Sequence, residues 1–308
     1  MRRALLVGAA SLLAVGAVAV AGAATSLTIS SRHVDAFSAA QTATTVPSDT
    51  TPPQLQTLEM FDTNTNGRVD RVVATFSEPL QASTSTAGWS LANVPSNGTL
   101  SAVTVLGNGT TATLAITEGA GAHNTAVGSF TVALDQATSD IKDATGNKAS
   151  FAATGPVDKA APVLTGVTDQ DTATGNGKLE QGDWADFTFS EPMNLTALGI
   201  SAADVLVYDP QGDGNTDYLR IAGLLQGDIA IGTAYLSGQD TNATFPNASI
   251  TAGASSSIVR VTLLNPCSGS CASLGSSNST SVTWAFVPSL KGDDGLSAIG
   301  QALAIALF

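Results

Sequence analysis

Charge is scarce in this sequence: 12% of its 308 residues are charged, against 43% apolar. The shortage falls mainly on cations, with 12 Lys and Arg beside 25 Asp and Glu, a net charge of −13. A chain this acidic has no electrostatic footprint for nucleic acid or for an anionic lipid surface. Two histidines and two cysteines leave little for a His/Cys metal cluster. There is no G-x-S-x-G, no H-E-x-x-H and no phosphate loop, so nothing marks the chain as an enzyme. After the first 24 residues no apolar run approaches the length of a membrane helix. Nor does any window there carry a capped helical stripe. What remains is rich in Gly, Ser, Thr, Ala and Asn, a texture that suits short strands and turns. The apolar fraction is enough for packed cores, and the length suits about two domains.

The amino end speaks of compartment. Arg2 and Arg3 precede an uncharged run from Ala4 to Ala24, closed by Ala21-Gly22-Ala23. This is the pattern of a secretory signal peptide over 1–23, with a retained membrane anchor as the alternative. Cleavage leaves a secreted or cell-surface protein with no membrane span. Cys267 and Cys271 are separated by three small residues with a central Gly, close enough for a structural disulfide. Thioredoxin-like motifs use two intervening residues, which argues against redox catalysis.

The chain repeats itself. Residues 24–50 form an extended Ser/Thr/Ala-rich leader ending at Asp49-Thr50-Thr51-Pro52-Pro53. A similar boundary stands at Val157-Asp158-Lys159-Ala160-Ala161-Pro162. Pro53-Gln54-Leu55 then matches Pro162-Val163-Leu164, and Thr75-Phe76-Ser77-Glu78-Pro79 matches Thr188-Phe189-Ser190-Glu191-Pro192. Two units follow, 51–157 and 158–308, the second with an insertion around 218–245. Within them the period is two. Strands are expected at 69–76, 101–106, 110–116, 129–134, 186–189, 205–208, 257–264 and 281–287. The uncharged tail from Leu296 to Phe308 suits either a strand donated to a neighbour's open sheet edge or a final strand of the second unit.

These phrases, with the closing run Ile141-Lys142-Asp143-Ala144-Thr145-Gly146-Asn147, resemble bacterial Ig-like surface domains of the type found in S-layer proteins. The resemblance spans nearly all of the first unit and runs from Pro162 to Met193 in the second. It implies an all-β fold of two tandem Ig-like β-sandwiches. It implies no single role, because such modules occur in adhesins, S-layer components and exported enzymes.

Three acidic loops have the makings of calcium sites. Asp62, Asn64, Asn66 and Asp70 place oxygens at positions 1, 3, 5 and 9 of a loop, with Gly67 at 6 and the Arg68 carbonyl at 7. Val73 stands where an EF-hand has its glutamate, so this is no EF-hand. The second unit has a degraded copy in Asp171, Asn176, Glu180 and Asp183. A third loop offers Asp213, Asn215 and Asp217. In each case the alternative is an Asn/Asp turn that needs no ion. Glu78 and Glu191 lie before Pro in separate units and read as strand ends. His33 and His123 read as loop residues, and Trp89, Trp184 and Trp284 as core residues rather than a sugar-stacking face. The resulting expectation is an exported structural or adhesive surface protein, with calcium as a candidate cofactor. Its partners would be other surface proteins, itself or cell-wall glycan. The alternative is a non-catalytic carbohydrate- or substrate-binding accessory module.

Overall fold

Alternation of apolar and polar side chains builds the first sheet. In the strand Arg71–Phe76, Val72, Ala74 and Phe76 turn inward; in Thr111–Thr117, Ala112, Leu114 and Ile116 do. A computed structural model describes residues 48–171, 177–211, 215–233, 235–237, 241–275 and 280–305. The signal segment, His33, nearly all of the leader, Asn176 and Asp213 lie outside the described residues. The first sheet runs, in spatial order, Thr99–Val105, Thr111–Thr117, Arg71–Phe76, Leu55–Phe61 and Val157–Asp158. Its partner is a three-stranded sheet of Trp89–Ala92, Thr131–Leu134 and Phe151–Thr154. Both contribute to one core, in which the Phe151 ring lies 6.3 Å from Phe76 and 5.8 Å from Trp89. The hairpin at Gly107-Asn108-Gly109 turns with Asn108 at φ 66°, a conformation that Asn tolerates better than most residues.

The larger sheet of the second half runs Ile229–Gly232, Asp217–Ile221, Ala202–Asp209, Thr241–Ala252, Ile258–Thr262, Trp184–Phe189 and Leu164–Gln170. Asp217–Ile221 and Ile229–Gly232 thus extend one edge of this sheet. A second core gathers on it around Phe187, Phe245, Leu224 and Trp284. Helix among the described residues is limited to one turn, Leu195–Leu198, and two 3₁₀ turns. None is long and apolar enough to cross a membrane. The fold is all-β.

The repeat in sequence is a repeat in register. Leu55 faces Phe76 and Thr57 faces Thr75, with an irregularity between them. Leu164 faces Phe189 and Gly166 faces Thr188, with the irregularity in the same place. Past the Ser-Glu-Pro phrase, Leu80 bridges Asp143, and Met193 bridges Gly292.

The stretch 281–287 departs from its expected single strand. Thr280–Thr283 pairs with Ala302–Ile305, and Phe286 then bridges Leu225 instead. Trp284 then packs edge-on against Phe187, ring centroids 4.9 Å apart, and Phe286 packs on Phe187 and Phe189. Trp284 and Phe286, two residues apart, thus turn to the same core although the pairing partner changes between them. Gly300 makes the close approach workable, since a Cβ there would lie 1.8 Å from the Trp284 carbonyl oxygen.

Candidate metal centre

The first acidic loop closes on its own hydrogen bonds. The Asp62 carboxylate accepts from the backbone N–H of Asn66 at 3.2 Å and of Gly67 at 2.7 Å. Asp70 accepts from the Thr63 N–H at 3.0 Å and from its hydroxyl. The amides of Asn64 and Asn66 both reach Glu118, at 2.7 and 2.8 Å. Arg68 turns its guanidinium to the carbonyls of Gly119 and Gly121, both at 2.6 Å. Burial raises the Asp62 pKa, and the N–H bonds from Gly67 and Asn66 oppose that rise. The Asn66 N–H also donates to Asn64 Oδ1 at 3.1 Å, two residues back, which is an Asx turn.

The other predicted loops are also tied into their surroundings. Asp171 accepts from the Gly177 N–H at 2.8 Å, and Asp183, fully buried, from the Glu180 N–H at 2.7 Å. Asp217 accepts from the N–H groups of Tyr235 and Leu236, at 2.7 and 3.1 Å, across its sheet. Asn215 donates to the Gln211 carbonyl at 3.3 Å. Cys267 and Cys271 are joined by a disulfide, with Cα atoms 5.9 Å apart.

The first acidic loop also faces the second half. A Cβ on Gly67 would lie 3.1 Å from Thr165 and 3.3 Å from Ser190, and the Thr65 carbonyl accepts from Gln301 at 2.7 Å. His123 Nδ1 is 2.9 Å from the Asn66 carbonyl. Just beyond it the two halves are joined by a buried polar knot. The Thr125 N–H donates to the Ser190 carbonyl at 3.1 Å, and their hydroxyls meet at 2.7 Å. Ser190 Oγ also accepts from the Val163 N–H at 2.9 Å.

Glu191 extends this knot into a cluster of acids. Its side chain is only 4% exposed, with Oε2 accepting from Thr125 at 3.3 Å. Its other oxygen, Oε1, is buried with no hydrogen-bond partner. One carboxylate oxygen each of Glu191, Asp158 and Asp294 lies within 4.8 Å of the other two. Asp158 arrives on the connecting segment, where Val157–Asp158 pairs in parallel with Leu55–Phe61. Asp294 arrives on the loop after Lys291–Gly292, a strand that pairs with Met193–Asn194. Burial, then the neighbouring carboxylates of Asp294 and Asp158, push the Glu191 pKa up to about 9. Burial, then the charge of Asp294, push Asp158 up to about 6, against the Ala160 N–H bond that opposes the rise. Asp294 is raised as well, by burial first. All three acids disfavour their charged forms, as a cluster of oxygens does when it has no cation.

The sequence patterns around Asp62, Asp171 and Asp213 did not lead to this cluster. On sequence alone Glu191 reads as a strand end and Asp158 as part of a boundary phrase. A signal did exist: acids recur at the same places, Asp49 with Asp158 and Glu78 with Glu191. Trp89 and Trp284 are buried in the two cores. Trp184 is half-buried, with the Arg260 guanidinium 3.7 Å above its ring.

The comparison with known families bears on the first half. Residues 49–155 match the family model of a bacterial Ig-like domain. The Ig-like domain therefore contains Glu78, Asp143 and the Thr125 that reaches across to Ser190. No curated protein matches the chain, and no solved structure does.

Proposed function

We propose that the protein is an exported, non-catalytic surface module of structural or adhesive role, built of two Ig-like sandwiches in tandem. The observation that carries this reading is the match of residues 49–155 to a bacterial Ig-like domain. The second half repeats the register, the irregularity and the Phe-Ser-Glu-Pro phrase of the first, which supports the tandem arrangement. The polar knot at Thr125 and Ser190 would hold the halves as one stiff element, as suits a protein that projects from a surface. Calcium belongs to this reading as a stabiliser. In cells of the native host, the intact chain should begin near Ala24, carry a bridged Cys267–Cys271 pair and be cleaved when live cells are treated with external protease. A chain that keeps residues 1–23 and is protected from the protease would overturn the proposal.

A second reading, glycan binding, has one observation in its favour. Tyr208 and Tyr218 stack with centroids 5.4 Å apart beside a pocket lined by Asp209, Arg220, Thr241 and Asn242. Arg220 lies over Tyr208 and forms an ion pair with Asp228 at 2.6 Å, which also accepts from the Tyr208 hydroxyl. Retention of the protein on insoluble cell-wall glycan, lost in Tyr208→Ala, is the result this reading expects. Equal retention of the two proteins would set it aside.

A further inference from the structure

We propose that Asp158, Glu191 and Asp294 form a binding site for a divalent cation, calcium by its chemistry, at the junction of the two halves. The proposal deepens the surface-module reading and rests on it only for the supply of millimolar calcium outside the cell.

Three observations carry the site. The first is spacing. Ligands on opposite sides of a calcium ion stand about 5 Å apart, and the three carboxylate oxygens lie within 4.8 Å of one another. The second is Glu191 itself. A carboxylate oxygen at a buried position normally has a donor, yet Glu191 is 4% exposed and its Oε1 has none. The ion pairs among the described residues engage Asp140, Asp186 and Asp228 and none of these three acids. The third is the room beside them. A Cβ on Gly292 would stand 2.5 Å from Glu191 Oε1 and 2.6 Å from Asp294 Oδ1. Glycine at 292 keeps open the space that both oxygens face.

The repeat explains why the glycine and the acid are where they are. By strand register, Gly292 stands opposite Met193 as Asp143 stands opposite Leu80. In the first half the acid is on that position, and a carboxylate oxygen of Asp143 lies within 4.8 Å of one of Glu78. Asp143 is held there by its own loop, accepting from the N–H groups of Thr145 and Asn147 at 2.8 Å each. In the second half the acid has moved two residues on, to Asp294, and a glycine clears its path. The pairing of the Phe-Ser-Glu-Pro glutamate with an acid of the closing loop is thus kept by different means.

The donor set names the ion. Oxygens without imidazole or thiolate suit a hard cation. Ligands drawn from three separate segments, one of them exposed, suit the irregular coordination of calcium better than the strict octahedron of magnesium. Two positive charges beside three carboxylates also remove their mutual repulsion. Bound there, the ion would link the connecting segment to the last loop of the second half.

The test is calcium titration of the purified full chain by calorimetry. Wild type should bind with a dissociation constant of about 0.1–1 mM, the range of extracellular modules. Asp294→Asn and Asp158→Asn should each weaken that event at least tenfold, and so should Gly292→Ala, which keeps every carboxylate. Asp62→Ala should leave it unchanged. Circular dichroism establishes that each variant is folded, and Asp294, being exposed, is the safest of them. Absence of binding at about 5 mM calcium would overturn the proposal. So would binding that survives Asp294→Asn and Asp158→Asn, or binding lost in Asp62→Ala alone. The measurement does not depend on export or adhesion, so its failure would leave the surface reading standing.

Discussion

Glu191→Gln should melt level with or above wild type in chelator and several degrees below it in millimolar calcium. The change of sign follows from the surroundings of one carboxylate. Without an ion, Glu191 is buried beside Asp158 and Asp294, and burial favours its neutral form. An amide of the same shape then removes a source of repulsion and keeps the contact with Thr125. With calcium present, the amide contributes a weaker ligand and one charge fewer. A ligand that binds only the folded state stabilises it by about 1.4 kcal/mol at a tenfold excess over its dissociation constant. For a unit of this size that corresponds to roughly 3–6 °C in melting temperature. Wild type should gain this on addition of calcium, and Glu191→Gln should gain little. Thermal melts of both proteins in chelator and in about 5 mM calcium decide the matter. A substitution effect of the same sign and size in both buffers would place the ion elsewhere or nowhere.

The strands were legible because each is a local pattern. Arg71–Phe76 and Thr111–Thr117 alternate cleanly, and Gly107-Asn108-Gly109 marks the hairpin that precedes the second of them. Even the register of the second half could be anticipated from the matched phrases at Leu55 and Leu164 and at Phe76 and Phe189. The candidate site was not legible, because its acids are far apart in the chain and are brought together by sheet pairing. Asp158 is placed by its pairing with Met60, and Gly292 by its pairing with Met193. The calcium-like spacing at Asp62 drew attention for the opposite reason, since all its oxygens lie in one loop. The spacing that suits a cation loop also suits an Asx turn, and there the backbone N–H groups of Asn66 and Gly67 occupy the Asp62 carboxylate. Trp284 is a core residue, as its place in an alternating stretch implies. Alternation turns its ring inward with Val282 and Phe286, while its partner there, Phe187, precedes it by nearly a hundred residues and is paired with it by no local pattern.

A double-mutant cycle across the junction should show strong coupling between Thr125 and Ser190. The Thr125 side chain is fully buried, and Ser190 is 4% exposed. Their hydroxyls meet at 2.7 Å, and Ser190 Oγ also accepts the Val163 N–H at 2.9 Å. Ser190→Ala leaves the buried Val163 N–H without an acceptor and takes a partner from the Thr125 hydroxyl, so a cost of about 1–3 kcal/mol is expected. Thr125→Val keeps the shape but strips a partner from Ser190 and Glu191, at a cost of about 1–2 kcal/mol. In the double variant both hydroxyls are gone, and the Val163 N–H and Glu191 Oε2 are left without these partners. The combined loss should therefore fall short of the sum of the single losses by about 1 kcal/mol, a coupling typical of groups in direct contact. Equilibrium unfolding in urea measures all four proteins on one scale. The cycle probes more than one hydrogen bond, because Thr125 belongs to the Ig-like first half and Ser190 to the second. Coupling near zero, within about 0.3 kcal/mol, would mean that the halves are not docked in solution. The two halves would then move on a hinge rather than as one stiff element.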